Sequence, residues 1–82
     1  MAEIDDVISI QIGHALRDRR IKLGITQQNL ATALHVTYQQ VQKYEKGRNK
    51  ISAAKLWLAS EALSVPVAWF YERLRSDEKV GL

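Results

Sequence analysis

Residues 26–47 read TQQNLATALHVTYQQVQKYEKG, and the two residues near the middle of that stretch, His35 and Val36, decide the fold. On one side, QQNLATAL places Leu30, Ala31 and Leu34 on one helical face; on the other, YQQVQKYEK does the same with Val41 and Tyr44. Thr26 and Thr37 stand where helix N-caps belong, and Gln40, three residues after Thr37, completes a capping-box pattern. Gly47 stands where a glycine closes a helix C-terminus. So short a connection favours a sharp corner between the helices, the helix-turn-helix geometry. A sharp corner needs a small residue at the crossing, which Ala31 supplies, and apolar anchors beneath both helices: Leu30, Leu34, Val36, Val41 and Tyr44.

Turning Val41 and Tyr44 inward also sets the outward face of the second helix of the pair. Gln39, Gln42, Lys43 and Lys46 then point away from the core, with Tyr38 on the exposed first turn. The face is rich in amides and cations and carries no acid. Glutamine suits bidentate pairing with adenine, and lysine suits the acceptors of guanine. The plainer alternative is that these residues are good helix formers on a solvated surface.

Outward from this pair, periodicity and punctuation predict an all-α chain of five helices, at Ser9–Leu23, Gln27–Leu34, Tyr38–Lys46, Ala53–Leu63 and Pro66–Arg75. The first carries the stripe Ile12, Leu16, Arg20 and Leu23 and is closed by Gly24. The fourth, capped by Ser52, carries Leu56, Ala59, Ser60 and Leu63; the fifth carries Val67, Phe70 and Leu74, with Pro66 in its first turn. VISIQI (residues 7–12) alternates like a strand but is isolated, so residues 1–8 are expected to be a flexible arm. Residues 9–75 form the helix-turn-helix domain and 76–82 a tail.

The chain has 82 residues and no cysteine, so one core must hold by packing alone, without disulfide or thiolate–metal staples. Its apolar runs are too short to span a membrane, and MAEIDDVISIQIG lacks the features of a secretory signal; a cytoplasmic, nucleoid-associated protein is expected. Charge is unevenly spread. Residues 1–13 carry three acids and no Lys or Arg, whereas His14–Lys55 holds nine Lys/Arg against Asp18 and Glu45. A basic middle in a small domain points to a polyanion partner or, more plainly, to a solvated basic face.

Three segments, IGHALRDRRIKLGITQQNLATAL, VTYQQVQKYEKGRNKISAAKL and EALSVPVAWFY, resemble the lambda repressor/Cro (Xre-type) family of helix-turn-helix transcriptional regulators. The similarity covers roughly Ile12 to Leu74. Its sharp features are Gly-x-Thr-Gln opening the second helix, Ala31 four residues after Gln27, and Tyr-Glu-x-Gly closing the third. The resemblance implies a five-helix lambda-repressor-like fold that binds double-stranded DNA and reads bases through Tyr38, Gln39 and Lys43. It implies backbone phosphate contacts from Gln27, Lys46, Arg48 and Lys50. The family usually has glycine where this chain has His35; histidine tolerates the left-handed conformation better than most residues, so His35 is expected to be a turn residue. His14 has no companion at metal-ligand spacing.

Arg20 falls on a core stripe, where an unpaired charge is costly. Glu45 is the sole acid between Asp18 and Glu61, and the resemblance pairs the two in a semi-buried salt bridge. Otherwise Arg20 must snorkel to solvent or to a phosphate.

One recognition helix reads few base pairs, so such folds usually act as homodimers on palindromic operators with half-sites about 34 Å apart. Leu58, Trp57 and Tyr71 lie off the core stripes and are the candidate dimer contacts, Leu58 foremost, while Trp69 is expected to cap the core. The function expected is a sequence-specific transcriptional regulator, a repressor, with restriction-system controller proteins inside the same reading. The alternative is an antitoxin or other protein-interaction module whose partner is a toxin. No catalytic constellation, metal site or cofactor motif is present in the sequence, so an enzyme is not expected.

Overall fold

Side-chain caps fix where three of the helices begin. The Thr26 hydroxyl accepts from the Asn29 N–H at 3.0 Å, that of Thr37 from Gln40 N–H at 3.1 Å and that of Ser52 from Lys55 N–H at 3.1 Å. The computed structural model describes residues 3–76, and among them the helices are α1 Ile4–Lys22, α2 Gln27–Leu34, α3 Tyr38–Glu45, α4 Ala53–Leu63 and, after a 3₁₀ turn at Val67–Tyr71, α5 Glu72–Ser76. The architecture is all-α, with no strand among the described residues. The capping box lies on Thr26 and Asn29 rather than on Thr37 and Gln40. Gln40 does not reach back to Thr37; its Oε1 accepts from Asn49 Nδ2 at 3.4 Å, in the loop after α3.

The chain folds differently from the sequence expectation at both ends. Residues 4–8, expected as part of an arm, are the first turn and more of α1. Asp5 and Asp6 in that turn complement the positive end of the helix dipole, and Ile8 packs on the core one turn before Ile12. At its other end α1 stops at Lys22, so Leu23 leaves the stripe and is 41% exposed. The last helix is split because a 3₁₀ turn, with three residues per turn, brings Val67 and Phe70 over the same patch of core. Pro66 precedes that turn as its N-cap, in extended conformation. Of the expected tail, Ser76 closes α5, and residues 77–82 lie outside the described residues.

Five elements contribute to the fully buried core: Leu16 from α1, Leu30 and Leu34 from α2, Val41 from α3, Leu63 from α4 and Phe70 from the 3₁₀ turn. Trp69 is half-buried against it and meets Phe70 edge-on, with ring centroids 5.3 Å apart. Two helices close in the left-handed conformation on residues with side chains, α2 at His35 (φ 57°, ψ 43°) and α4 at Ser64 (φ 55°, ψ 47°). Polar links brace the packing. Arg19 Nε donates to the Leu63 carbonyl at the end of α4 at 2.9 Å, and Arg73 on α5 pairs with Asp18 on α1.

The position of α3 depends on Gly13, a residue that composition and periodicity leave unmarked. It is buried in the middle of α1, and a Cβ added there would lie 2.2 Å from the Tyr44 carbonyl oxygen and 3.1 Å from that of Glu45. The two helices touch backbone to backbone. Gly13→Ala gains roughly 1 kcal/mol of helix propensity, but it forces apart a packed crossing, and overpacking of that kind costs about 1–3 kcal/mol or more. We expect a net loss of stability, read as a Tm several degrees below the parent by circular dichroism; an equal or higher Tm would mean that α1 and α3 separate freely.

Candidate nucleic-acid interface

At the last residue of α3, Glu45 turns its carboxylate into the angle between α1 and α2. Arg20 Nε donates to Glu45 Oε2 at 2.6 Å and Arg20 Nη2 to Oε1 at 3.1 Å, a bidentate pair. The side chains are 11% and 3% exposed, so both charges are largely out of water. Arg20 Nη1 donates to the Ile25 carbonyl at 3.0 Å, tying the α1–α2 connection to the same guanidinium. Gln27 Nε2 donates to Glu45 Oε1 at 3.0 Å, and Gln27 Oε1 accepts from Gln42 Nε2 at 3.4 Å. Among the described residues no buried side-chain nitrogen or oxygen lacks a partner. The structure thus brings Arg20 and Glu45 together and adds two glutamines whose part in this network the sequence did not reveal.

That network changes what two residues of the motif can offer. Both ends of the Gln27 side-chain amide are engaged within the motif, which leaves its main-chain N–H, in the first turn of α2, as the feature suited to an anion. Gln42, expected on the outward face, is half-buried and bonded to Gln27. The exposed face of α3 is therefore Tyr38, Gln39 and Lys43, with Lys46 at the C-cap. Glu45 is the sole acid on α3 and points the other way, so this face carries no negative side chain.

Beyond Lys46 the chain reverses at Gly47, whose φ of +71° is strained for any residue with a side chain and whose added Cβ would lie 2.8 Å from Ile10 Cα. The Arg48 N–H donates back to the Lys43 carbonyl at 2.9 Å and closes α3. The turn leaves Arg48, Asn49 and Lys50 exposed in the loop that follows α3. Lys50 is not free in this structure: its Nζ donates to Asp5 Oδ2, in the first turn of α1, at 3.0 Å. That hydrogen bond, with the fields of Asp5, Asp6 and Glu3, holds the Lys50 ammonium protonated above the ordinary lysine range.

The three candidate dimer contacts occupy different settings. Trp57 projects from α4 with 55% of its surface exposed. Leu58 is half-buried against the chain's own core, and Tyr71 is 37% exposed at the end of the 3₁₀ turn. Trp57, rather than the expected Leu58, therefore offers the most apolar surface of the three to a partner, because Leu58 is partly spent on the core.

Known proteins share both the sequence pattern and the fold. A helix-turn-helix family model, HTH_3, matches residues 16–70. An HTH-type transcriptional regulator of Sinorhizobium medicae (strain WSM419) is 44% identical over 70 residues, which cover 85% of this chain and 50% of that protein. A transcriptional regulator in the ATPase CF(0) region of Rhodospirillum rubrum is 42% identical over 71 residues, 87% of this chain and 66% of that protein. This chain spans about half the length of the first and two thirds of the second. Among solved structures, the clp gene regulator ClgR from Corynebacterium glutamicum matches with a TM-score of 0.81 at 27% identity, covering 90% of this chain and 79% of that one. The restriction-modification controller protein C.AhdI from Aeromonas hydrophila shares the fold at a TM-score of 0.71 and 23% identity, covering 74% of this chain and 92% of that one.

The buried pair yields a direct test. Arg20→Met leaves the Glu45 carboxylate in place with Gln27 but without its guanidinium, and breaking a buried pair from one side costs about 3–5 kcal/mol. Denaturant unfolding should register that loss. Adding Glu45→Leu removes the stranded charge and should recover part of it. A single variant that unfolds like the parent would mean that the carboxylate does not depend on Arg20.

Proposed function

Because the chain belongs to the helix-turn-helix family HTH_3, of the Xre/lambda-repressor-like type, we propose that it is a DNA-binding transcriptional regulator that recognises double-stranded DNA sequence specifically. In this reading it acts as a repressor and binds as a homodimer with α3 in the major groove. The observation that carries the proposal is the outer face of α3. Tyr38, Gln39 and Lys43 stand exposed and free of acidic neighbours on the helix, next to the cations Lys46, Arg48 and Lys50.

Base readout and backbone positioning divide between these two groups. Gln39 and Lys43 have the donor and acceptor geometry for adenine and guanine edges, and Tyr38 presents a ring and a hydroxyl to a thymine methyl or a phosphate. Lys46, Arg48 and Lys50 supply charge for the sugar–phosphate backbone, which orients the helix without reading sequence. Gln27 serves through the positive end of α2, its side chain being committed to Glu45 and Gln42. Trp57, with Leu58 and Tyr71 at the margins, is the proposed dimer contact, and dimerisation doubles the sequence read.

Selection of bound duplexes from a random-sequence library should enrich a two-fold symmetric site with half-sites about 34 Å apart. No enrichment would end the sequence-specific reading. On the selected site, Gln39→Ala should cost about 1–3 kcal/mol and relax preference at one base pair. Lys50→Ala should instead weaken binding to every sequence alike and lower the slope of log K against log salt by about one unit. Loss of discrimination in the Lys50 variant, or a uniform loss in the Gln39 variant, would contradict this division of roles.

A further inference from the structure

We infer that Asp5 is an intramolecular stand-in for a DNA phosphate, which occupies Lys50 in the free protein and so tempers its affinity for DNA of any sequence. The inference rests on the proposed DNA-binding reading and adds to it a residue from the far end of the chain. Asp5 Oδ2 lies 3.0 Å from Lys50 Nζ, and both side chains are well exposed, at 60% and 66%. The carboxylate takes one of the three N–H donors of the ammonium and offsets its charge, so a phosphate oxygen arriving from solvent competes with a negative oxygen already at hydrogen-bond distance. Asp6 follows Asp5 in the same turn and Glu3 stands just before it, and all three carboxylates act on Lys50. The most acidic turn of the molecule thus stands beside the loop offered to the backbone.

The exposure of the pair limits its strength. Exposed ion pairs are weak, and their association constants are of order unity to a few. If Lys50 is engaged for part of the time, the apparent affinity for DNA falls by the fraction that remains free. An effect of about two- to six-fold follows. The competition also depends on salt, because ions screen the exposed Asp5–Lys50 attraction and relieve part of it as salt rises. The restraint on Lys50 is therefore strongest at low salt.

The test uses a fluorescently labelled duplex of arbitrary sequence, titrated by anisotropy across a range of salt concentrations. Asp5→Asn should tighten binding about two- to six-fold at low salt, with the gain shrinking as salt rises. Asp6→Asn removes the same charge from the same helical turn without touching Lys50, and its gain should be smaller. In a Lys50→Met background the gain from Asp5→Asn should shrink to that of Asp6→Asn, and Asp5→Glu should return the parental affinity. Circular dichroism of the two asparagine variants checks that each loses the same small amount of helix-end stabilisation. Equal gains from Asp5→Asn and Asp6→Asn would overturn the inference, as would a gain that persists without Lys50, since either leaves only a diffuse field. Weaker binding by Asp5→Asn would also overturn it, by making the bridge a brace for the loop. Binding of the duplex with no response to Asp5→Asn sinks this inference alone. Failure of every variant and the parent to bind any duplex sinks the DNA-binding reading and this one together.

Discussion

The carboxylate of Glu45 belongs to α3 but takes its hydrogen bonds from Arg20 on α1 and Gln27 on α2. An ion so nearly excluded from water is tolerable only when donors surround it, and here they come from two other helices. The requirement has a direction. Rolling α3 about its axis would carry the carboxylate away from Arg20 and strand both charges. The same roll angle sets which residues of α3 face outward, so the buried pair acts as a pin for the exposed face. Apolar packing of Val41 and Tyr44 is less exacting, because hydrophobic contacts tolerate small rotations that a bidentate ion pair does not. Gly13 supplies the remaining constraint by letting α1 and α3 meet closely enough for that pair to form.

Much of this was legible in the sequence because local chemistry decides it. Thr26, Thr37 and Ser52 cap helices through side chains that act within three residues, and the bounds of α2 and α4 follow from them. The buried stripes of those helices were equally readable, since Leu30, Ala31 and Leu34, and Leu56, Ala59, Ser60 and Leu63, recur at helical spacing. The start of α1 was misread because residues 7–12 also fit a two-residue period and Glu3 makes no side-chain cap. Helical spacing of Ile8 and Ile12 prevails once there is a core for them to reach. The capping box was placed on the wrong threonine because Gln40 has a tertiary partner, Asn49, that no local rule anticipates.

Within the site, the residue types were readable and their commitments were not. That α3 turns Gln39 and Lys43 outward follows from its inward anchors. That Gln27 and Gln42 are bonded to each other and to Glu45 depends on how α2 crosses α3, which periodicity does not encode. The same holds for Lys50 and Asp5, separated by 45 positions and joined only because the loop after α3 returns to the start of α1. A glycine in the interior of a helix, as at Gly13, is the kind of sign that periodicity passes over, since such a residue usually has a packing reason.

The left-handed corner at His35 bears on how freely this motif can vary. In the folded chain, a residue with a Cβ in that conformation costs about 1–2 kcal/mol, which is the usual case for glycine there. Glycine, however, has more conformations to lose when the denatured chain folds, a penalty of about 0.5–1 kcal/mol relative to alanine. The second term offsets only part of the first, so the angle of the corner is fixed and a residue other than glycine there carries a net cost of up to about 1 kcal/mol. Ser64 at the end of α4 stands under the same balance. The turn residue can therefore be exchanged at a modest cost without changing how α3 is presented, whereas Gly13, whose constraint is contact with another backbone, has no such latitude.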